Sequence, residues 1–179
     1  MALLPLTLLL ALLAAAVWHD VRARRIPNAL VFPGALVALV LALPALGGSG
    51  LGQALCGLGL GLAFLLPMYA LRLMGAGDVK LLAMVGAFVG SGAILTVALV
   101  TLAAGGVLAL AFATWQGKLR QLTGNAVQMM VATSMNAATG HVAVAQPVAA
   151  SGRLPYAVAI AAATAPCALW LHIVGALPL

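Results

Sequence analysis

Long apolar stretches separated by short polar segments dominate the 179 residues of this chain. Uncharged runs of roughly 20 residues are typical of transmembrane helices, because a helix satisfies its own backbone hydrogen bonds inside lipid. The pattern predicts six such helices, over residues 2–18, 29–46, 53–71, 79–91, 93–115 and 156–176. The predicted fold class is therefore all-α, a polytopic membrane protein formed by a single membrane-embedded domain.

One uncharged run, residues 81–114, is too long for a single membrane helix. The sequence Gly90-Ser91-Gly92 divides it, which leaves a short fourth helix. From Asp78 to Ser91 that helix spans about 21 Å at roughly 1.5 Å per residue, against a hydrocarbon core about 30 Å thick. We therefore expect Asp78 to lie some way below the cytoplasmic surface of the membrane.

Charged residues are few, and their positions predict the orientation of the chain. Hydrophobic residues make up 65% of the sequence and charged residues 6%, with a formal net charge of +6, which excludes an ordinary soluble domain. With six helices and both termini periplasmic, all eight basic residues fall at the ends carrying the loops 19–28, 72–78 and 116–155. The positive-inside rule makes that side cytoplasmic, so the basic residues set topology in the lipid bilayer and indicate no nucleic-acid partner.

The chain contains only two acidic residues, Asp20 and Asp78, each at a predicted helix boundary. Two carboxylates that face each other tend to share one proton. One can then act as general base on water while the other, protonated, polarises a scissile carbonyl. This chemistry needs no metal and no cofactor. Gly75 and Gly77 lack Cβ atoms, so they would let a substrate backbone approach Asp78 closely.

Structural roles and other functions also account for these residues. Asp20 is spaced for an ion pair with Arg24, and Asp78 is placed to cap a helix N-terminus near Lys80. A small proton- or cation-coupled transporter or channel would use two aspartates as an ion path. Transporters often contain inverted repeats, and none is visible between residues 1–90 and 91–179. A non-catalytic scaffold of a secretion machine is a third interpretation.

Two motifs together resemble those of the type IV prepilin peptidases, which are GxGD-type aspartic proteases of the bacterial inner membrane. They are Asp20 followed by Arg25-Ile26-Pro27-Asn28, and Gly75-Ala76-Gly77-Asp78-Val79-Lys80-Leu81. The late segment Arg153-Leu154-Pro155-Tyr156-Ala157-Val158-Ala159-Ile160-Ala161 resembles the short branch of the family that serves Tad-type (Flp) pili.

The resemblance implies that Asp20 and Asp78 are the catalytic aspartates. It also implies substrates: prepilins, or pseudopilins, with a basic leader and a hydrophobic helix, cleaved at the cytoplasmic face before type IV pilus assembly or protein secretion. Longer family members carry an additional cytoplasmic domain with Cys-x-x-Cys pairs that is not seen here, so neither N-methylation nor bound zinc is expected.

Three further residues near the motifs are candidates for shaping the site or binding substrate. Pro27 is suited to open the second helix at its first turn, and Asn28 to hold the loop by a side-chain to backbone hydrogen bond. Lys80 is interpreted either as a residue that contacts substrate or tunes the aspartate pair, or as a positively charged anchor at the cytoplasmic side of the membrane. The three histidines are dispersed along the chain, which does not indicate a metal site. The sequence does not determine the oligomeric state.

Overall fold

The structure, a computed structural model, describes residues 3–46, 48–71, 74–115, 117, 124 and 156–175. Within these residues the fold is all-α, as the apolar pattern predicts, and no strand occurs in them. The helices are α1 (Leu3–Ala23), α2 (Asn28–Leu46), α3 (Gly48–Ala70), α4 (Ala76–Trp115) and α5 (Tyr156–Val174). Most of the predicted cytoplasmic loop 116–155 lies outside the described residues.

Four helices of the described part, α1, α3, α4 and α5, are long and apolar enough to cross a membrane. The apolar stretch of α2, Asn28–Leu43, is shorter. The chain is therefore a membrane protein by the length and composition of its helices. Six spans and periplasmic termini remain predictions.

Helix α4 is interrupted at Gly90, whose φ of 75° and ψ of 174° are not helical. This φ favours glycine, because a Cβ atom is disfavoured there. A Cβ atom at Gly86 would lie 3.2 Å from Cγ1 of Ile94, whereas eight residues of straight helix advance about 12 Å. The chain therefore bends sharply at Gly90 into a first arm, residues 76–89, and a second arm, residues 91–115. The break predicted at Gly90-Ser91-Gly92 is confirmed.

The first arm of α4 forms the centre of the fold. Residues 81–90 are all buried, so this segment has no exposed face. A helix that is apolar all round is expected at the core of a bundle. The other four helices all contact α4, and its fully buried side chains include Phe88, Leu82 and Met84. Asp78 therefore lies three residues before the fully buried segment 81–90.

Helix α3 packs on this arm through two glycines one turn apart. A Cβ atom at Gly61 would lie 2.6 Å from the carbonyl oxygen of Leu82, and one at Gly57 would overlap the carbonyl oxygen of Gly86. Small residues spaced by four let helix backbones approach this closely inside a membrane. Gly59, between them in sequence, has no atom within 4 Å of the equivalent position. The α3–α4 contact therefore depends on Gly57 and Gly61.

The end of α1 differs from the predicted bounds. The helix continues to Ala23, so His19 and Asp20 are helical, and the predicted loop 19–28 is reduced to residues 24–27. Arg24 ends the helix with a positive φ of 50°, and its N–H donates to the carbonyl of Asp20 at 2.8 Å. That hydrogen bond is the one formed by a left-handed cap. The carboxylate of Asp20 is consequently presented from a regular helical turn.

The starts of α3 and α4 also lie earlier than predicted. Helix α3 begins at Gly48, five residues before the predicted start at residue 53. Helix α4 begins at Ala76, so Gly77 and Asp78 belong to its first turn and not to the predicted loop 72–78. Packing overrides the low helix propensity of glycine at both sites: Gly50 is buried, and Gly77 contacts Ile26.

Candidate active site

Asp20 and Asp78 are brought together by the packing of α1 and α4. Asp20 lies near the C-terminus of α1 and is buried, with 7% of its surface exposed. Asp78 lies in the first turn of α4 and is partly buried. The two carboxylates are close enough to interact electrostatically. The protein's only two acidic residues, 58 positions apart in the chain, therefore share one site.

The carboxylate of Asp78 is fixed by the residue that precedes its helix. The backbone N–H of Gly75 donates to Oδ2 of Asp78 at 3.2 Å, and the N–H of Asp78 donates to the carbonyl of Gly75 at 3.2 Å. This reciprocal pair matches half of a capping box, in which the third helical residue reaches back to the N-cap amide. Asp78 therefore occupies the third helical position, and the N-cap position belongs to Gly75.

The carboxylate of Asp20 is held by α5. Its Oδ2 atom accepts the backbone N–H of Ala157 at 3.0 Å, and this hydrogen bond is buried. The first amides of a helix have no partner within the helix, so a carboxylate is a natural acceptor for them. Within the described residues no ion pair joins Asp20 to Arg24, whose side chain is exposed. No residue type or spacing in the sequence predicts this contact, although it falls in the segment 153–161 that resembles the Tad branch of the family.

Tyr156 is a third residue of the site and was not among the candidates predicted from the sequence. Its ring packs on Gly105, where a Cβ atom would lie 2.7 Å from Cζ of the phenol. Its hydroxyl donates to the carbonyl oxygen of Thr101 at 3.3 Å. The phenol is also within electrostatic reach of Asp78. Tyr156 thus joins α5 to the second arm of α4, one residue before Ala157, which is hydrogen-bonded to Asp20.

A family model described as the type IV leader peptidase family matches residues 7–110, which is more than half of the chain. The chain belongs to the type IV leader peptidase family. The matched region contains both Asp20 and Asp78, while Tyr156 and Ala157 lie beyond it. No curated protein and no solved structure matches the chain. Membership of this family makes the protein a peptidase that acts on prepilins in general. Proteins of this family are usually membrane-bound, which is consistent with the long apolar helices of this chain.

Lys80 of this leader peptidase contacts the start of α2. Its Nζ donates to Oδ1 of Asn28 at 3.1 Å and lies 5.3 Å from the centre of the Phe32 ring. The second distance is within the range of a cation–π interaction. The side-chain oxygen of Asn28 is therefore used by Lys80 and not, as expected, by the backbone of its own loop. A substrate contact for Lys80 remains a prediction.

The loop between α1 and α2 reaches the first turn of α4 through Ile26. A Cβ atom at Gly77 would lie 3.1 Å from Cβ of Ile26, so the space beside this glycine is filled by the loop. Helix α2 begins immediately after Pro27, whose carbonyl accepts the N–H of Leu30 at 3.0 Å. In the peptidase, Gly77 therefore allows the loop to approach Asp78. A Cβ atom at Gly75 would lie 3.2 Å from Oδ2 of Asp78, so this glycine keeps space beside the carboxylate.

Proposed function

We propose that this leader peptidase is an aspartic endopeptidase in which Asp20 and Asp78 are the catalytic residues. Its substrates are prepilins, from which it removes the basic leader at the cytoplasmic face of the bacterial inner membrane. The observation that carries the proposal is the meeting of the two carboxylates at one site, in a chain whose family hydrolyses leader peptides. The sequence contains no other Asp and no Glu that could take either role.

The proposed reaction uses one carboxylate as base and the other as acid. The ionised aspartate takes a proton from water as the water oxygen bonds to the scissile carbonyl carbon. The protonated aspartate gives its proton to the carbonyl oxygen, which forms a tetrahedral diol. The C–N bond then breaks, the leaving nitrogen takes the proton from the first aspartate, and a diol hydroxyl returns a proton to the second. Both carboxyl groups end the cycle as they began.

The cytoplasmic orientation is supported by the basic residues beside Asp20. Arg22, Arg24 and Arg25 follow it within five residues, and all three are exposed. A cluster of arginines at a helix end marks the cytoplasmic side of a membrane protein. The same positive charges would repel a basic leader, so the leader approaches the carboxylates from another side.

Flp-type prepilins are the proposed substrate class. The support is the late segment, residues 153–161, which resembles the Tad branch of the family. Ala157 of this segment donates its N–H to Asp20, and the neighbouring Tyr156 is within electrostatic reach of Asp78. In the proposed enzyme this segment therefore contributes to the site itself.

The test is leader cleavage by Asp20→Asn and Asp78→Asn variants in proteoliposomes with a full-length Flp-type prepilin. Each variant removes a carboxylate and keeps its shape, so each is expected to abolish the size shift of the prepilin. His19→Gln is the matched control, because His19 is exposed beside Asp20 on α1 and is expected to leave cleavage unchanged. Normal cleavage by either asparagine variant would falsify the proposal. Proton or cation flux through the same liposomes without cleavage would favour the transporter.

A further inference from the structure

One oxygen of each carboxylate in the candidate site is held by a main-chain amide. Oδ2 of Asp20 accepts the N–H of Ala157 at 3.0 Å, and Oδ2 of Asp78 accepts the N–H of Gly75 at 3.2 Å. In the part of the chain that the structure describes, no hydrogen bond reaches Oδ1 of either aspartate. Each carboxylate therefore has one oxygen fixed by the backbone and one oxygen available for proton transfer.

Both donor amides lie at helix starts that packing holds in place. Ala157 is the second residue of α5 and is fully buried within the hydrophobic core. Gly75 directly precedes α4, and its carbonyl accepts the N–H of Asp78 at 3.2 Å. The terminal torsion of an aspartate side chain is otherwise broad. Because a main-chain donor has no rotamers of its own, each amide limits the rotation of the carboxylate that it binds.

The position of Asp20 indicates that its bond to Ala157 does more than cap a helix. Asp20 lies in the last turn of α1, where the helix dipole disfavours a negative charge. Burial of a carboxylate there adds a further cost unless hydrogen bonds offset it. The amide of Ala157 comes from the positive end of a different helix and supplies that compensation. A structural cap for α5 would not require a buried carboxylate, since serine or asparagine caps a helix as well.

We infer that the N–H groups of Ala157 and Gly75 are positioning groups, which leave Oδ1 of Asp20 and Oδ1 of Asp78 as the two oxygens that exchange protons in the reaction. The inference rests on the proposed function. Oδ1 of the ionised aspartate takes a proton from water as the water oxygen bonds to the scissile carbonyl carbon, and Oδ1 of the protonated aspartate gives its proton to the carbonyl oxygen. As the C–N bond breaks, the leaving nitrogen takes the first proton and a diol hydroxyl returns one to the second aspartate. Both Oδ2 atoms keep their amide bonds throughout, so neither carboxylate has to be reoriented.

An amide-to-ester exchange removes one donor while every side chain stays the same. In full-length protein in proteoliposomes, Ala157 is replaced by lactic acid, which has the alanine side chain and no N–H. The matched control replaces Val158 by 2-hydroxyisovaleric acid, because the N–H of Val158 is also in the first turn of α5 but binds neither aspartate. Each ester weakens one carbonyl acceptor of α5, so the two proteins differ in the bond to Asp20. A third protein carries glycolic acid in place of Gly75.

We expect the Ala157 ester to lower kcat for full-length Flp-type prepilin about tenfold with KM unchanged, because a hydrogen bond to a charged group is lost where protons are exchanged. The Gly75 ester is expected to lower kcat about threefold, since its bond is longer and less buried. The Val158 ester is expected to cleave at the wild-type rate. Thermal unfolding in detergent checks that all three esters are folded.

The outcomes separate this inference from the proposed function. The inference is overturned if the Ala157 and Val158 esters cleave alike, or if the Ala157 ester changes KM alone. If the Ala157 ester does not fold, the Gly75 ester decides, and a wild-type kcat for it overturns the inference. If the esters cleave like the wild type while Asp20→Asn is inactive, the proposed function stands and only the inference fails. If the wild type cleaves no prepilin, the proposed function fails and the inference fails with it.

Discussion

Ala157 donates its backbone N–H to Oδ2 of Asp20 at 3.0 Å, across 137 positions of the sequence. The bond joins the first turn of α5 to the last turns of α1, and both residues are buried. It also reaches outside the family-matched residues 7–110. The last helix is therefore part of the candidate site, and variants at its N-terminus are expected to affect cleavage.

Tyr156→Phe is expected to slow prepilin cleavage about fivefold. The change keeps the ring on Gly105 and removes the hydroxyl that donates to Thr101. A hydrogen bond of this kind contributes about 1 kcal/mol, and its loss loosens the α5 turn that holds Asp20. Initial rates in proteoliposomes measure the effect. Tyr69→Phe on α3 is the control, since Tyr69 is largely exposed. Equal rates for the two variants would contradict a role for the Tyr156 hydroxyl.

Gly57→Ala and Gly59→Ala are expected to change stability in opposite directions. A Cβ atom at Gly57 overlaps the backbone of Gly86, so overpacking should cost about 1–3 kcal/mol. Gly59 has open space beside it, so alanine there should stabilise α3 by roughly 0.5–1 kcal/mol through helix propensity. Thermal unfolding in detergent compares the two midpoints with that of the wild type. A Gly57→Ala protein as stable as Gly59→Ala would mean that α3 and α4 are not in close backbone contact.

Lys80→Met and Asn28→Ala are expected to be non-additive. The two side chains form one hydrogen bond at 3.1 Å, so either change removes about 1 kcal/mol for that bond and the double variant loses less than the sum of the two. Unfolding midpoints of the two single variants and the double variant measure the coupling.

Cleavage rates on the same proteins decide whether Lys80 also contacts substrate. If its only role is to join α4 to α2, Lys80→Met in the Asn28→Ala background lowers cleavage only as far as the lost contact with Phe32 lowers stability. An additional loss of cleavage in that background, with no change in stability, would instead assign Lys80 to substrate binding.

Arg24→Gly is expected to stabilise the protein by about 1 kcal/mol, because the left-handed conformation is unfavourable for residues with a Cβ atom. Arg24 caps α1 with a φ of 50°. Arg25→Gly is the control, since Arg25 has no positive φ and glycine there only increases the freedom of the unfolded chain. Thermal unfolding in detergent gives both values. A lower midpoint for Arg24→Gly than for Arg25→Gly would contradict the cap.

The features that were predicted correctly depend on residues that are adjacent in the sequence. Gly90 breaks α4 because glycine tolerates its positive φ, and apolar runs of the right length form helices in any membrane protein. The ends of the helices were harder to predict, because hydropathy reports where an apolar run ends, whereas α1 continues past that point to Ala23. The cap at Arg24 carries no glycine to mark it.

The contacts that complete the site could not be predicted from the sequence, because they join residues that are far apart in the chain. Every residue except proline has a backbone N–H, so nothing in the sequence marks Ala157 as the partner of Asp20. Asn28 and Lys80 each have many possible partners, and only the packing of α2 on α4 selects this pair. Tyr156 was similarly unmarked, since its neighbours Thr101 and Gly105 are 55 and 51 positions earlier.

The two arms of α4 reach the site at nearly the same distance from the bend at Gly90. Asp78 precedes Gly90 by 12 residues, and Thr101, whose carbonyl receives the Tyr156 hydroxyl, follows it by 11. At roughly 1.5 Å per residue the two positions are about 18 and 16.5 Å from the apex. One residue inserted between Gly90 and Thr101 would shift Thr101 and Gly105, on which Tyr156 packs, by about 1.5 Å along the helix and turn them by about 100° around its axis. The number of residues between Gly90 and the site is therefore fixed on both arms of α4. Family members that keep the site are expected to differ in sequence along these arms but not in their length.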